Sequence, residues 1–387
     1  MLARRMKIAL VSPYDFSYPG GVANHITNLD RCLSRMGHQV KVIAPASSPI
    51  TTFGDRFIQI GTPRTVPNSG SVARITLSLT LAGRIKSVLE EEKFDIVHLH
   101  EPFTPMLCSA ILRFSNTINI GTFHAYDARP GYHLAWPIGI IMLKRRCRKL
   151  QGKIAVSLPA KRFASKYVPG EFDIIPNGVD LKVFNPDVPP LEEYQDGKIN
   201  ILFIGRLEKR KGVGYLLNAF RRLKKEMPNT RLIIAGPGTR LRGKYEHWVK
   251  TWKVDDVVFA GMVSYADLPR YYRTADIFCA PAITQESFGI VLLEAMAMGK
   301  PIVATNIEGY ASVVSHGQEA WLVPPKDSRR LCDALAMLIR DENLRKEMGA
   351  RGMVKAQEYS WERVAERVED YYNKVLNEFS GSALVKA

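Results

Sequence analysis

Apolar positions come in short runs that alternate with amphipathic stretches almost from end to end of the chain. In the first half, strands are predicted at 7–14 (KIALVSPY), 39–46, 57–61, 95–102 (DIVHLHEP), 118–126 (INIGTFHAY) and 153–157. Between several of them the apolar residues recur at helical spacing, as in GVANHITNLDRCLSRMG (21–37), where Gly37 supplies the stop. Residues 174–200 then interrupt the pattern with a dense run of Pro, Asn, Asp and Gly, the composition of a linker. The alternation restarts with strands predicted at 200–207, 231–238, 257–263, 276–281, 301–305 and 320–325, and a long helix at 359–379 follows. Such alternation means βαβ units and parallel sheets. The pattern predicts two doubly wound, Rossmann-like α/β domains, at 1–186 and 187–360. Ligands bind beyond the carboxyl ends of the strands in open α/β sheets, so the expected site is a cleft between two facing sheets. The tail at 380–387 reads as disordered.

A length of 387 residues with 46% hydrophobic and 24% charged residues suits two soluble domains with sizeable cores. The balance of 54 Lys+Arg against 38 Asp+Glu, a net charge of +16, favours polyanionic partners: nucleic acid, nucleotide phosphates or an anionic membrane face. The basic residues form no arm or recognisable nucleic-acid module, so no nucleic-acid partner is expected. Five scattered cysteines without a C-x-x-C pair argue against a disulfide framework or structural zinc, and for a reducing cytosol. No signal peptide is expected, because strand-like KIALVSPY directly follows the basic flank, with no small-residue cleavage site. The longest apolar run, LAWPIGIIML (134–143), is half the ~20 residues of a spanning helix.

Three stretches carry candidate chemistry. In SYPGGVANHI (17–26), Gly20 and Gly21 stand between a strand and a helix, a turn that aims backbone N–H groups and the positive helix end at an anion. In GRLEKRKG (205–212), Arg206 and Lys211 follow the second domain's first strand, where fixed cations reach a phosphate. In ESFGIVLLEA (286–295), Glu286 stands at a loop-to-helix entry and Glu294 inside the helix, where an unpaired charge is costly. Each also has a plain structural reading: a βα turn, a solvated charge run, a helix N-terminal acid. No G-x-G-x-x-G or Walker A spacing is present, which counts against a dehydrogenase or P-loop ATPase. Both carboxylates belong to one loop–helix unit, which counts against a glycoside hydrolase.

Together these stretches resemble the glycosyl transferases group 1 family, retaining enzymes of the GT-B fold with an E-x7-E motif. The resemblance spans nearly the whole chain: the glycine pair, TFH (122–124), IPNGVD (175–180), GRLEKRKG, AGPG (235–238) and ESFGIVLLEAMAMGKPIVAT (286–305). Within that family the chain is most similar to bacterial phosphatidylinositol α-mannosyltransferases, which share GSVAR (70–74), HEP (100–102) and ESFGIVL. The resemblance implies a sugar-nucleotide donor whose diphosphate is stabilised by Arg206, Lys211, Gly20 and Gly21. Glu286 would bond the donor sugar and Glu294 the ribose, with Val263, Phe288, Gly289 and Ile290 completing the donor site. His124 would act beside the anomeric carbon, so His124 and Glu286 are the implied catalytic pair. No D-x-D pair occurs in the sequence, so no metal and no other cofactor is expected at the diphosphate.

For the acceptor, the resemblance implies Tyr14, Ser69 and Arg74. The related enzymes carry asparagine at the Ser69 position and glutamine at the Ala23 position, so a different acceptor lipid stays open. The implied reaction moves mannose from GDP-mannose to phosphatidylinositol or a similar anionic lipid. Open alternatives are a UDP-sugar-dependent enzyme, such as a diacylglycerol glucosyltransferase, or a soluble mannosyltransferase with a small acceptor. Two basic segments suit an anionic membrane surface, 132–153 with cations from Lys144 to Lys149 and a helix predicted over 72–92. Peripheral association with the cytoplasmic face follows. The helix at 361–380 is expected to return to the first domain, and closure over the donor is expected to hinge at 176–200 and that helix.

Overall fold

The computed structural model describes residues 4–18, 20–68, 71–78, 80–126 and 144–384. The chain forms two compact units, one of residues 1–177 with 361–387 and one of residues 178–360.

The first unit holds seven parallel strands in the spatial order Phe57–Gln59, Gln39–Ala44, Lys7–Val11, Ile96–His100, Ile118–Phe123, Gly152–Ala155, Asp173–Ile174. Alternate residues feed opposite cores, as a period of two requires. Ala9, Val11, Val97 and Leu99 pack with the helices Ala82–Glu92 and Leu107–Phe114 on one face. Ile8, Leu10 and Ile96 pack on the other, with the helices Gly21–Arg35 and Trp361–Leu384. Gly37, at φ +96°, ends the first helix: its N–H bonds Ser34 and that of His38 bonds Leu33.

The second unit holds six parallel strands in the order Val257–Gly261, Thr230–Ala235, Ile199–Ile204, Ile277–Ala280, Ile302–Thr305, Ala320–Val323. Ile201 and Phe203 face the core beneath the helices Val213–Glu226 and Ser328–Arg340. Leu202 and Ile204 face the core that contains the helix Ile290–Ala297. Both units thus have the Rossmann-like doubly wound architecture that the alternation predicts.

Four expectations change. The first domain ends at Asn177, not at residue 186. Val179 N–H bonds the Tyr359 carbonyl at 2.8 Å, and Phe184 is buried edge-to-face on Tyr272, which ties 178–186 to the second unit. The supposed linker is a packed strap on that unit: Leu191 N–H bonds Thr274 Oγ1 at 2.8 Å, and Arg270 reaches the carbonyls of Pro189 and Pro190. The helix predicted over 72–92 starts only at Ala82, because Ser71–Thr76, with β-branched Val72, Ile75 and Thr76, pairs antiparallel with Pro63–Asn68. The final helix runs to Leu384, through much of the tail expected to be disordered.

That helix is part of the first unit's core. Trp361, Val364, Val368, Tyr372 and Val375 are buried against the sheet. Tyr372 Oη lies 2.6 Å from Nδ1 of the fully buried His98, whose Nε2 lies 2.6 Å from Thr122 Oγ1. Tyr372→Phe strands one ring nitrogen of His98 and is expected to cost about 1–2 kcal/mol of stability. Thermal unfolding of the full chain measures this as a drop of a few degrees.

Candidate active site

In the second unit, the strand Ile199–Ile204 ends at Gly205, and the chain turns through Arg206 and Glu208 into a short 3-10 turn at Lys209–Lys211. Gly212 follows at φ +73°, and a Cβ there would stand 1.8 Å from the Pro281 carbonyl oxygen. Only glycine permits that approach, which lets Ile283 N–H bond the Arg210 carbonyl at 2.8 Å and joins the cationic turn to the loop carrying Glu286. From the far side Gly309 is equally tight, its absent Cβ 1.9 Å from the Glu286 carbonyl oxygen.

Clamped this way, Glu286 Oε1 accepts from Lys211 Nζ at 2.7 Å and Arg210 Nη1 at 2.5 Å. Arg210 Nε also bonds the mostly buried Glu208 at 2.8 Å, and Arg206 lies 3.6 Å from Glu208. Three cations face two carboxylates, so the cluster keeps a positive excess at the carboxyl end of a strand. An incoming phosphate would compete for Lys211 and for Arg206, whose side chain is 41% exposed. Arg206, Lys211 and Glu286, singled out in the sequence, thus meet in one cluster. Glu208 and Arg210, which bind them together, have nothing in the sequence GRLEKRKG to distinguish them from a solvated charge run.

Glu286 is not a helix-terminal acid. The helix begins at Ile290, with Gly289 before it at φ +94°, and two cations rather than a helix dipole balance the charge. Glu294 is buried in that helix and accepts from Tyr272 Oη at 2.7 Å, while desolvation lifts its pKa to about 7. The side chain of Phe288 is buried near Tyr359, so what it offers a ligand is backbone. Val263 is half-buried against the same core, just past the strand Val257–Gly261, and Ile290 is half-buried at the helix start.

In the first unit, Gly20 is extended at φ −166° and precedes the helix Gly21–Arg35. A Cβ there would meet only the Tyr18 carbonyl, at 3.9 Å, so Gly20 leaves open space rather than providing a strained turn. Tyr14 bridges to Ile75, and Asp15 N–H bonds the Arg74 carbonyl at 2.9 Å, which docks the hairpin on the loop after the first strand. Tyr14 and Arg74 are thereby brought together. The Arg74 guanidinium lies 4.3 Å from the centre of the Tyr18 ring and 3.8 Å from the buried Asp15 carboxylate. Ser69 lies outside the described residues.

His124 follows the strand Ile118–Phe123 and stands in a group of imidazoles that sequence reading missed. Its Nε2 is 3.1 Å from His100 Nδ1, His100 stacks on His98 at 4.4 Å, and the His25 ring lies 4.9 Å from that of His124. His25 Nδ1 bonds Asn177 Oδ1 at 2.9 Å. Burial pushes the pKa of His25 down to about 4 and of His98 to about 3, and those of His100 and His124 well below the usual value. The rings are therefore neutral. The available signal was the alternation of histidine with Ile96, Val97 and Leu99 in a strand buried on both faces.

The backbone of His124 is pinned by Glu101, whose Oε1 accepts the N–H of His124 at 2.5 Å and of Ala125 at 2.7 Å. Glu101 is buried, and desolvation raises its pKa to about 7 against an ordinary 4.5. The folded state therefore holds the Glu101 proton more tightly than the unfolded state. This contribution to stability is complete below pH 4.5 and is lost as pH rises through about 7. Glu101→Gln keeps an acceptor for both N–H groups without a buried charge. Relative to wild type, the variant should gain stability between pH 5 and pH 8, by about 2–3 kcal/mol. Denaturant unfolding at both pH values checks the sign.

Two family models match the chain: Glycosyltransferase Family 4 over residues 19–183 and Glycosyl transferases group 1 over residues 190–355. A phosphatidyl-myo-inositol mannosyltransferase of Mycobacterium leprae is 34% identical over 97% of this chain and 98% of its own length. One from Mycolicibacterium smegmatis is 33% identical over 96% and 94%. Among solved structures, a sucrose-phosphate synthase from Thermosynechococcus elongatus superposes with a TM-score of 0.77 at 20% identity, covering 97% of this chain and all of that one. With two Rossmann-like units and these matches, the chain belongs to the glycosyl transferases group 1 family and is a glycosyltransferase of the GT-B fold.

Proposed function

We propose that the protein transfers mannose from GDP-mannose to phosphatidylinositol or a similar anionic lipid, with retained configuration, at the cytoplasmic face of a membrane. The observation that carries this reading is Glu286 held between Arg210 and Lys211, in a chain matched over nearly its full length by phosphatidylinositol mannosyltransferases. Donor diphosphate takes Lys211 and Arg206 as counter-charges, doing without a metal ion what Mg2+ does elsewhere. Glu286, released from Lys211 but kept by Arg210, turns its carboxylate to the sugar hydroxyls. Glu294 bonds the ribose, and His124, a neutral imidazole, bonds the transferred sugar beside the anomeric carbon. The leaving phosphate accepts the acceptor's proton as that hydroxyl attacks from the same face. Tyr14 and Arg74 receive the inositol phosphate, Arg74 supplying the cation.

No helix among the described residues is long and apolar enough to cross a membrane, so contact with lipid is proposed as peripheral. The apolar half of the segment at 132–153 lies outside the described residues. Its basic half divides in two. Arg146 bonds the Ser109 carbonyl at 2.7 Å and Lys149 bonds that of Ser115 at 2.8 Å, both supporting the helix Leu107–Phe114, whereas Lys144, Arg145 and Arg148 are exposed. The exposed three are the proposed headgroup contacts.

Calorimetric titration in EDTA should show GDP and GDP-mannose binding and no comparable binding of UDP or UDP-glucose. Preference for the uridine pair would replace the donor in this reading. Lys211→Ala should weaken GDP binding by about 10- to 100-fold, the loss of one charge-assisted contact. Glu286→Gln should fold normally and slow mannosyl transfer to phosphatidylinositol vesicles by about 100-fold or more; near-normal turnover would remove Glu286 from the site. Replacing Arg145 and Arg148 together by Ser should weaken sedimentation with anionic liposomes by about 1 kcal/mol per charge. Equal binding by variant and wild type would exclude that surface.

A further inference from the structure

We propose that His25, His100 and His124 form a binding site for a divalent transition-metal ion, with Zn2+ as the type case, and that an ion held there blocks transfer. The inhibitory half rests on the function proposed above; the binding half rests on geometry alone.

Three elements bring the imidazoles together: the helix Gly21–Arg35 carries His25, the strand Ile96–His100 ends in His100, and the loop after Ile118–Phe123 carries His124. One ring nitrogen from each lies within 4.8 Å of the others. Four-coordinate zinc, with Zn–N bonds of about 2.0–2.1 Å, sets its ligand nitrogens about 3.3 Å apart. Closing the triangle thus takes ring movements of about 1.5 Å or less, and partly exposed His124, at a strand's end, is the member free to make them.

The hydrogen bonds around the rings select these three. Asn177 Oδ1 accepts from His25 Nδ1, which fixes the tautomer and leaves Nε2 with its lone pair, the role a metal site's outer partners perform. The Trp361 ring, 4.8 Å from His25 and nearly perpendicular to it, holds that orientation. His100 Nε2 is buried and has no hydrogen-bond partner among the described residues, while its Nδ1 lies 3.1 Å from His124 Nε2, close to the spacing of two zinc ligands. His98 offers nothing, since Tyr372 and Thr122 occupy both its nitrogens. Imidazole donors with an open fourth position suit zinc and its neighbours in the first transition row rather than Mg2+ or Ca2+. An ion there would tie up the nitrogen of His124 that the sugar requires.

Cobalt(II) is the probe, added to the full chain purified without a polyhistidine tag. Wild type should bind one ion with the strong visible absorption of low-coordinate cobalt. His25→Gln, which keeps a polar group toward Asn177, should weaken binding at least tenfold. His247→Gln and His316→Gln, at exposed histidines, should leave it unchanged. Absence of the band, its persistence in His25→Gln, or its loss in the His247 or His316 variants would overturn the site. Should His25→Gln fail to fold, zinc protection of His124 from diethyl pyrocarbonate in wild type, mapped by mass spectrometry, reads the same contact; no protection overturns it. In the transfer assay Zn2+ should inhibit wild type reversibly on EDTA addition, and inhibit His25→Gln at least tenfold less effectively. A cobalt site without zinc inhibition would overturn the inhibitory half. A chain that transfers no mannose but binds cobalt as described would reject the functional reading and leave the site standing.

Discussion

A parallel sheet covered on both faces leaves only its edges and its strand ends for chemistry, and both units obey that constraint. Strand interiors are mostly apolar, with Ile8, Leu10, Leu202 and Ile277 inaccessible to solvent, and the buried His98 among them is bonded at both ring nitrogens. Polar groups therefore accumulate where strands stop: Glu101 and His124 in the first unit, Arg206 and Glu208 in the second. At such positions desolvation is severe, and each group has to find a partner. The partners are local and specific: backbone N–H groups for Glu101, Tyr272 for Glu294, Arg210 and Lys211 for Glu286.

Close backbone approaches make those partnerships possible. Gly212 against Pro281 and Gly309 against Glu286 bring together three loops that follow different strands. A side chain at either glycine would push the Arg210–Lys211 turn away from Glu286, which would then be left mostly buried without its counter-charges. That cost exceeds the worth of the ion pairs themselves. In the first unit histidine replaces arginine and lysine. Uncharged rings cost less to bury than cations, so four of them can be packed together, His25 against Trp361 and His98 against Tyr372.

Much of the architecture was legible in the sequence because it rests on local signals. Short apolar runs marked every strand of the two large sheets except the two-residue Asp173–Ile174, and Gly37 marked the end of the first helix. Where the pattern misled, a tertiary partner decided the outcome. Residues 174–200 have the composition of a linker, yet Phe184 and Leu191 found apolar pockets on the second unit. The stretch from Val72 to Thr76 carries helical as well as strand periodicity, and the opposing strand Pro63–Asn68 selected one of them.

For the site the division is similar. By themselves the residues determined the order of the glycine pair, the basic turn and the two glutamates, and with it the family, since such motifs depend on spacing within a single loop–helix unit. They also determined the positive charge. Only the tertiary structure decided which polar groups meet: Glu286 and Lys211 are 75 positions apart in sequence, and His25 and Asn177 are 152 apart. Spacing along a chain carries no information about such pairs. The fold creates them, by ending separate parallel strands along one edge and excluding water from what gathers there.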